Sequence, residues 1–329
     1  MTVAVICGGV GAARLLTGLQ RVIEPGEIVA IGNVGDDLEL HGLHVSPDLD
    51  TIVYTTSGAV STERGWGLEG ETWQAMASLA RYSPSPGSAA GDGGLEGAEG
   101  PTAALDWFSL GDRDLGTHLY RTHRLLQGAA LGEVTAEIAR AWGLGFHLLP
   151  VTDDRLRTMV TTADHGEISF QEYFVGHQHG VPVTAVRFDG AEVAKPGPGV
   201  LDALAQAERI VIAPSNPVVS IDPVLAVPGV RQAVAARRDD VVAVSPIVGG
   251  KALKGPADRL LTELGRDPSV VGVAEWYRDL IGTLVIDTVD AAEARRIEAL
   301  GLRAVVTDTV MREPAITDAL ARALIGADS

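Results

Sequence analysis

The chain alternates short apolar runs with segments in which apolar residues recur every three or four positions. Two runs open it, at residues 2–7 and 28–31, and an amphipathic segment at 12–22 separates them. Short apolar runs bounded by turn residues are typical of buried strands, and the longer period is typical of helices. The first thirty residues therefore predict a strand, a helix and a second strand, and a partly helical or extended segment follows at 51–56.

The same alternation returns near residue 207 and continues to the C-terminus. The apolar runs lie at 209–213, 241–244, 284–286 and 303–306, and the helical patterns lie near 230–237, 257–264, 291–300 and 315–324. Strands that alternate with helices predict a parallel sheet covered on both faces. With the two N-terminal strands, this gives about six strands in an α/β fold with a doubly wound, mainly parallel, Rossmann-like sheet.

The middle of the chain predicts a large mixed α/β insertion between the early and late strands. We expect 1–57 and 200–329 to form the nucleotide-binding core, and 58–199 to form an inserted substrate-binding region. Helical patterns occur at 72–81, 117–127 and 133–142, and strand-like alternation follows at 144–174. Residues 83–102 are rich in Gly, Pro and Ala without apolar periodicity, which predicts a flexible loop.

Charge and composition exclude several classes of function. The 329 residues contain 26 Lys and Arg against 43 Asp and Glu, a formal charge of −17, so we expect neither nucleic acid nor an anionic membrane as a partner. Any phosphate must be captured locally, by backbone amides, a few cations or a metal. Cys7 is the single cysteine, and the chain shows neither a signal-peptide pattern nor 18 consecutive apolar residues, so we expect a cytoplasmic protein.

Acidic residues are concentrated after the second predicted strand, where Gly32 and Gly35 break the apolar pattern. Two acidic pairs follow on neighbouring turns: Asp36 with Asp37, and Asp48 with Asp50. Carboxylates on adjacent turns can hold a hard cation such as Mg²⁺ through oxygen ligands. The alternative is that the first pair only caps the start of a helix, as aspartate often does.

A glycine turn follows the first predicted strand and leads into the first helix. It contains Gly8, Gly9 and Gly11. In this arrangement backbone N–H groups and a helix N-terminus can hold phosphate. It is not the dinucleotide fingerprint, because Arg14 stands where that motif has its third glycine, and it is not a Walker A loop. Arg14 can itself reach an anion, although a tight strand-to-helix connection without ligand is the alternative.

Other strand exits also carry polar or turn-forming residues, and ligands of doubly wound sheets bind outside the carboxyl ends of the strands. Asn216 offers a donor and an acceptor to a purine edge, and Lys251 and Lys254 place two cations on one exit loop, or form a solvated charge pair. Asp112 and Asp114 precede a helical pattern, either as its N-cap or as a wall of the substrate site.

Six ordered motifs resemble those of the phospholactate transferases of coenzyme F420 biosynthesis, and the resemblance is closer to the actinobacterial branch than to the archaeal one. The motifs are GGVGAAR at 8–14, NVGDD at 33–37, SPDLDT at 46–51, LGDRDLGTH at 110–118, APSNPVVSI at 213–221 and SPIVGGKALKGPAD at 245–258. Only the 83–102 loop lies outside this pattern.

This resemblance implies a reaction. The family joins the deazaflavin alcohol 7,8-didemethyl-8-hydroxy-5-deazariboflavin (FO) to an acid carried on guanosine diphosphate. The terminal ribityl hydroxyl attacks the phosphorus nearest the acid, and GMP leaves. The acid is lactate in archaeal relatives and enolpyruvate in the actinobacterial branch. The resemblance also implies a homodimer.

The site residues that the resemblance implies fall into three groups. Asp36 and Asp50 are the expected catalytic residues and Mg²⁺ ligands, with support from Asp37, and Asp50 is also expected to accept the ribityl proton. The expected FO-binding residues are Asp50, Ser109, Asp112 and Trp66, whose ring would stack on the deazaflavin. The expected nucleotide- and phosphate-binding residues are Gly8, Gly9, Gly11, Arg14, Asn33, Ser215, Asn216, Gly250 and Lys251.

Two rival functions share parts of this pattern. The first is a non-catalytic nucleotide-sugar-binding regulator of the gluconeogenesis factor type, a family with the same fold and first glycine loop. That family follows its Asp-Asp pair with a Gly- and Ser-rich run, whereas LELHGLHVSPDLDT follows Asp37 here. The second is a nicotinamide dehydrogenase, which Arg14 in the third glycine position argues against.

Overall fold

The protein is described by a computed structural model that covers residues 1–82 and 107–326. The predicted flexible loop at 83–102 lies outside the described residues. The predictions for the first two strands, the first helix and the four late strands are all matched by elements within a residue or two of the expected positions.

Seven parallel strands form the central sheet in the order β14-β13-β10-β9-β1-β2-β5. These strands are β1 (Val3–Cys7), β2 (Ile28–Gly32), β5 (His147–Pro150), β9 (Arg209–Ile212), β10 (Val241–Val244), β13 (Thr283–Asp287) and β14 (Arg303–Thr307). Strands β1, β9, β10 and β13 are buried at every position, which explains their continuous apolar runs. The fold class is confirmed, with β5 as one strand more than expected.

Helices cover the sheet on both faces, as the strand–helix alternation predicts. They are α1 (Val10–Val22), α2 (Pro47–Thr56), α3 (Gln74–Leu79), α4 (Asp114–Leu126), α5 (Leu131–Ala141), α6 (Val200–Gln206), α7 (Asp222–Ala226), α8 (Val230–Ala235), α9 (Ala257–Glu263), α10 (Val270–Tyr277), α11 (Ala294–Glu298) and α12 (Pro314–Ile325). Short 3₁₀ segments lie at Pro25–Glu27, Ala80–Tyr82, Arg238–Asp240 and Thr288–Glu293, and π-helical segments lie at Glu172–Gly176 and Pro217–Ile221.

Three small antiparallel units complete the described structure. They are the hairpin β3 (Leu38–Leu40) with β4 (Leu43–Val45), the sheet β6 (Arg157–Thr162), β7 (Gly166–Ser169) and β8 (Val183–Asp189), and the hairpin β11 (Ile247–Val248) with β12 (Lys251–Ala252). The first hairpin packs over a separate apolar cluster with α3. It joins the two acidic turns.

The order of the strands places a topological switch at β1. The chain moves outward from β1 to β2 and β5, then returns to β9 on the other side of β1. The N–H of Gly8, just after β1, donates to the Ser215 hydroxyl, just after β9, at 3.2 Å. Crevices at such switch points are where doubly wound sheets bind ligands. No helix in residues 1–82 or 107–326 is long and apolar enough to cross a membrane.

Candidate active site

The glycine turn after β1 is packed too closely for side chains. A Cβ at Gly8 would lie 2.5 Å from Cβ of Ser220, and one at Gly9 would lie 2.5 Å from Oδ1 of Asp48. One at Gly11 would collide with the Pro214 carbonyl. These three glycines therefore bring β1, β9 and the acidic turns into contact. The N-terminus of α1 has no side-chain cap and no acidic residue in its first turn, as suits a bound anion.

Two cations lie near the start of α1, which follows this turn. Partial burial, and then the charge of Arg14 on α1, lower the pKa of Lys254, which lies after β12. A Cβ at Gly65 would lie 2.7 Å from the Lys254 Nζ, so the loop after α2 also reaches this point. Within the described residues, no carboxylate pairs with either cation. Like charges held together without acidic partners favour an anionic ligand between them.

The first acidic turn contains carboxylate oxygens that the protein leaves unmatched. Asp36 and Asp37 are 6% and 3% exposed, and the Oδ1 atom of each has no hydrogen-bond partner in the part of the chain described. The other Asp37 oxygen accepts from the Ser46 hydroxyl at 2.8 Å and lies 2.9 Å from Nε2 of His44. Buried carboxylate oxygens without partners are costly, so a cation ligand fits them.

Asn33 joins this turn to the second one. Its amide donates to Oδ2 of Asp48 at 2.9 Å, and its carbonyl oxygen accepts from the Gly35 N–H at 2.8 Å. Burial, and then the charge of Asp48, raise the pKa of Asp36, and burial raises the pKa of Asp48 to about 7. Neighbouring buried carboxylates resist ionising together unless a cation neutralises them. Hard oxygen donors in this arrangement suit Mg²⁺.

Asp50, although only two residues from Asp48, faces a different environment. Its two oxygens accept from the two terminal nitrogens of Arg121 on α4. Oδ2 accepts from Nη1 at 3.1 Å, and Oδ1 accepts from Nη2. Nδ1 of His118 lies 3.7 Å from the same oxygen. Nε2 of His118 lies 3.2 Å from Asp114, which also accepts from the Tyr54 hydroxyl at 2.5 Å. Burial raises the pKa of Asp50, and Arg121 opposes that rise.

This second group could also hold a metal. Asp50, Asp114 and His118 place one ligand atom each within 4.8 Å of one another. The guanidinium of Arg121 already lies among them, however, and brings a positive charge. The described residues thus contain two acidic groups beside α2, and only the second is hydrogen-bonded to an arginine.

The residues predicted for the deazaflavin side differ in their exposure and in their hydrogen bonds to the protein. Trp66 is 49% exposed, with the Arg64 guanidinium 5.7 Å from the centre of its ring, and Ser109 is exposed. Asp112 instead accepts from the N–H groups of Gln74 and Ala75 at 3.0 Å, and these hydrogen bonds, with one from a threonine hydroxyl, lower its pKa. It therefore caps α3, a different helix from the one it precedes.

The residues predicted for the nucleotide lie along the same edge of the sheet. Ser215 contacts the glycine turn, and Oδ1 of Asn216 accepts from the Val218 N–H at 3.0 Å, which leaves its amide nitrogen available. Gly250, at φ +76°, and Lys251 are exposed in the β11–β12 hairpin. Asp290 fixes this hairpin through the N–H of Gly249 at 2.9 Å.

The sequence predicted no role for two residues of the site, His118 and Arg121, although a signal was present for both. Asp114, His118 and Arg121 recur at four- and three-residue spacing, so on one helix their side chains share a face. Lys254 was predicted as a cation on an exit loop, but only the folded chain brings it to Arg14.

Comparison with known proteins shows the family and agrees with the fold. The sequence model of the family 2-phospho-L-lactate transferase CofD matches residues 3–323. The chain is 42% identical over 326 residues to a protein of Streptomyces griseus named phosphoenolpyruvate transferase, covering 98% of this chain and 96% of the relative. Proteins of the same name from Nocardia farcinica and Mycolicibacterium smegmatis are 40% and 37% identical, each over at least 93% of both chains.

A solved structure of a UPF0052 family protein from Bacillus halodurans has the same fold. It superimposes with a TM-score of 0.58 at 16% identity, over 98% of both chains. At that identity the likeness concerns the fold and not the chemistry. The match to the family model spans nearly the whole chain and includes all six motifs. The chain therefore belongs to the 2-phospho-L-lactate transferase CofD family, and it is a transferase of coenzyme F420 biosynthesis.

Proposed function

We propose that this enzyme transfers a phosphoenolpyruvyl group, or a 2-phospho-L-lactyl group, from a guanosine diphosphate-linked donor to the terminal ribityl hydroxyl of FO. The products are GMP and dehydro coenzyme F420-0, or F420-0. The relatives named phosphoenolpyruvate transferase favour enolpyruvate as the acid. The regulator of the gluconeogenesis factor type is not favoured, because the chain has the transferase motifs in order.

One observation carries this proposal: unmatched acid and unmatched base meet at the glycine turn. Asp48 contacts Gly9 in that turn, and Asn33 links Asp48 to the turn that contains Asp36 and Asp37, whose Oδ1 atoms lack partners. Arg14 follows the glycine turn on α1, and Lys254 lies near Arg14. A divalent cation would be coordinated by the carboxylates. A diphosphate would bind that cation and also pair with the basic side chains. The arrangement suits a bound metal–diphosphate better than either ligand alone.

Different residues would hold the metal ion and the diphosphate. Asp36 and Asp37, with Asp48 beside them and Asp50 at the acceptor side, would hold Mg²⁺, which when bound would neutralise charge on the transferring phosphoryl group. The N–H groups of the glycine turn and Arg14 would hold the diphosphate. The hydroxyl oxygen of FO would attack the phosphorus next to the acid as the bond to the GMP oxygen breaks.

Asp50 would accept the proton that the hydroxyl loses, directly or through a water molecule. Its oxygens are held in one orientation by Arg121, and each retains a lone pair. Trp66 would stack on the deazaflavin, and Ser109 would line the same side. Ser215, Asn216, Gly250 and Lys251 would hold the guanosine end.

Mass spectrometry of the product tests the reaction. Purified protein is incubated with FO and either the enolpyruvyl or the lactyl donor, with Mg²⁺ or with EDTA. We expect GMP and the dehydro product from the enolpyruvyl donor, with Mg²⁺ only. Tight binding of a uridine-diphosphate sugar with no product from either donor would contradict the proposal. The resemblance also implies a homodimer, which light scattering on the purified chain would test.

A further inference from the structure

Arg121 is a charged side chain that is almost completely buried beside the site. It lies on α4 and is 1% exposed. It donates to both oxygens of Asp50, to the His44 carbonyl at 3.4 Å, and to Nδ1 of His118 at 3.3 Å. Burial of a guanidinium is unfavourable unless its partners are well placed, so a purely structural position would be filled more easily by an apolar residue.

The groups around Arg121 are those of a metal site. Asp50, Asp114 and His118 converge within 4.8 Å, and two carboxylates with an imidazole are ordinary ligands of divalent ions. A guanidinium can only donate, so Nδ1 of His118 accepts from Arg121, and its Nε2, 3.2 Å from Asp114, carries the proton. Arg121 thereby fixes the ring as well as the carboxylate.

We propose that Arg121 is a positioning residue that replaces a second metal ion: it supplies the positive charge of the Asp50–Asp114–His118 group and fixes the Asp50 carboxylate toward the acceptor. This inference rests on the role proposed for Asp50. The Asp50–Asp114–His118 group then needs no divalent cation of its own besides the Mg²⁺ of the reaction.

The location of Arg121 explains how it would affect catalysis. Asp50 and Tyr54 lie on α2, whereas Asp114, His118 and Arg121 lie on α4. The contacts Arg121–Asp50 and Tyr54–Asp114 therefore fix α2 against α4 at two points, which are about one turn apart on α2 and about two turns apart on α4. The first turn of α2 also contains Asp48. Loss of the bidentate contact would rotate Asp50 away from the acceptor hydroxyl while the glycine turn stays intact.

Steady-state kinetics of Arg121→Lys tests the positioning role. Lysine keeps the charge but bonds one oxygen at a time, so we expect kcat to fall about 10- to 100-fold and the KM for FO to rise. The KM for the nucleotide donor should change less than about twofold, because Arg121 does not face that end. Arg124→Lys is the matched control. Arg124 is on the same helix, but it pairs with Glu137, at 2.9 Å, and not with Asp50. This variant should behave as wild type.

Titration with Zn²⁺ tests the replacement of a metal. Wild type, with Mg²⁺ present, should bind no Zn²⁺ at this group. Arg121→Met should gain one equivalent, measured by calorimetry, and Arg121→Met combined with His118→Gln should lose it again. If Arg121→Met does not fold in EDTA but folds with Zn²⁺, the metal has taken over the charge of Arg121, which supports the proposal.

Two results would overturn the inference. One is an Arg121→Lys variant with the kcat and KM of wild type. The other is an Arg121→Met variant that folds and binds no additional Zn²⁺. Failure of the proposed function has a different signature: Asp50→Asn in an otherwise native chain would turn over normally, whatever Arg121 does.

Discussion

Two groups of aspartates lie on either side of the start of α2, and the negative charge of their carboxylates is balanced in different ways. Asp36, Asp37 and Asp48 are crowded together, and two of their oxygens lack partners within the described chain. Asp50 and Asp114 receive hydrogen bonds from Arg121 and Tyr54. The side chains are chemically identical. Within the described residues only the second group is hydrogen-bonded to an arginine, whereas Arg121 and Arg157 act on Asp37 through their charge alone.

This difference indicates which group is built for a ligand. A buried ion pair that the fold completes by itself needs nothing further, and removing one partner is strongly unfavourable. A buried acidic group that the fold leaves incomplete is stabilised by whatever cation binds it. The described residues therefore favour the Asp36–Asp37 turn as the place where an external cation has the most to contribute.

The largest expected effect comes from Asp36→Asn. Loss of one anionic ligand should lower kcat/KM by about 10²- to 10⁴-fold at saturating Mg²⁺, since the charge that holds the metal is reduced. In EDTA the same variant should unfold at a higher temperature than wild type, because a buried carboxylate without a cation has been removed. Activity assays and thermal unfolding with and without Mg²⁺ measure both changes.

Asp222→Asn is the matched control for that stability change. Asp222 is a partly buried acid outside the site, where it accepts from Nε1 of Trp276 at 3.3 Å and has a pKa raised by burial to about 6. Its replacement should stabilise the protein equally with and without Mg²⁺. An Asp36→Asn variant that is less stable than wild type in EDTA would contradict the comparison of the two groups.

The next effect is a dependence of stability on pH. The pKa of Asp48 is about 7 in the folded chain against an ordinary 3.8, so the folded state binds more protons than the unfolded state between those values. The free energy of unfolding in EDTA should therefore fall as pH rises from about 4 to about 7, then level off. The change has an upper limit of about 4 kcal/mol, and it is smaller because Asp48 is only half-buried.

Urea denaturation from pH 4.5 to 8, in EDTA and in Mg²⁺, measures this dependence. Mg²⁺ binds the ionised carboxylates and should flatten the decline. Asp222 contributes a decline of the same sign below pH 6 that Mg²⁺ does not alter, so the measurement is repeated on Asp222→Asn. Stability in EDTA that rises with pH over this range would refute the view that the turn is electrostatically incomplete.

The smallest effect concerns the basic side of the glycine turn. Lys254→Ala should raise the KM for the nucleotide donor about 5- to 20-fold with little change in the KM for FO, as expected for one exposed charge on a diphosphate. Lys195→Ala, at another exposed lysine on the loop after β8, is the control and should leave both KM values unchanged. Equal effects of the two substitutions would show that Lys254 acts only through net charge.

Much of the fold was readable in the sequence because the sheet is covered on both faces. Strands such as β1 and β10 are buried at every position, so each shows as an unbroken apolar run. The hairpin β3–β4 was expected as a turn, because strands of three residues around His41 at φ +52° leave no periodic signal. The helix α2 was only partly predicted, since acidic residues fill its first turn.

The candidate site could be predicted where its residues are adjacent in sequence, but not where the fold brings distant residues together. The glycine turn and the aspartates of NVGDD and SPDLDT are local, and the strand order brings them together. The role of Asp112 could not be predicted from its neighbours in sequence. Its position before α4 suggested a cap of that helix or a substrate wall, but its carboxylate caps α3, which precedes it by some forty residues.

The sequence by itself determined the family, the parallel sheet and the presence of two acidic turns, because motif spacing and apolar runs are properties of neighbouring residues. Only the tertiary structure decided which aspartates have a partner. Arg121 is 71 positions from Asp50, and Lys254 is 240 positions from Arg14. Electrostatic balance depends on distance in space and on burial, and neither can be read along the chain.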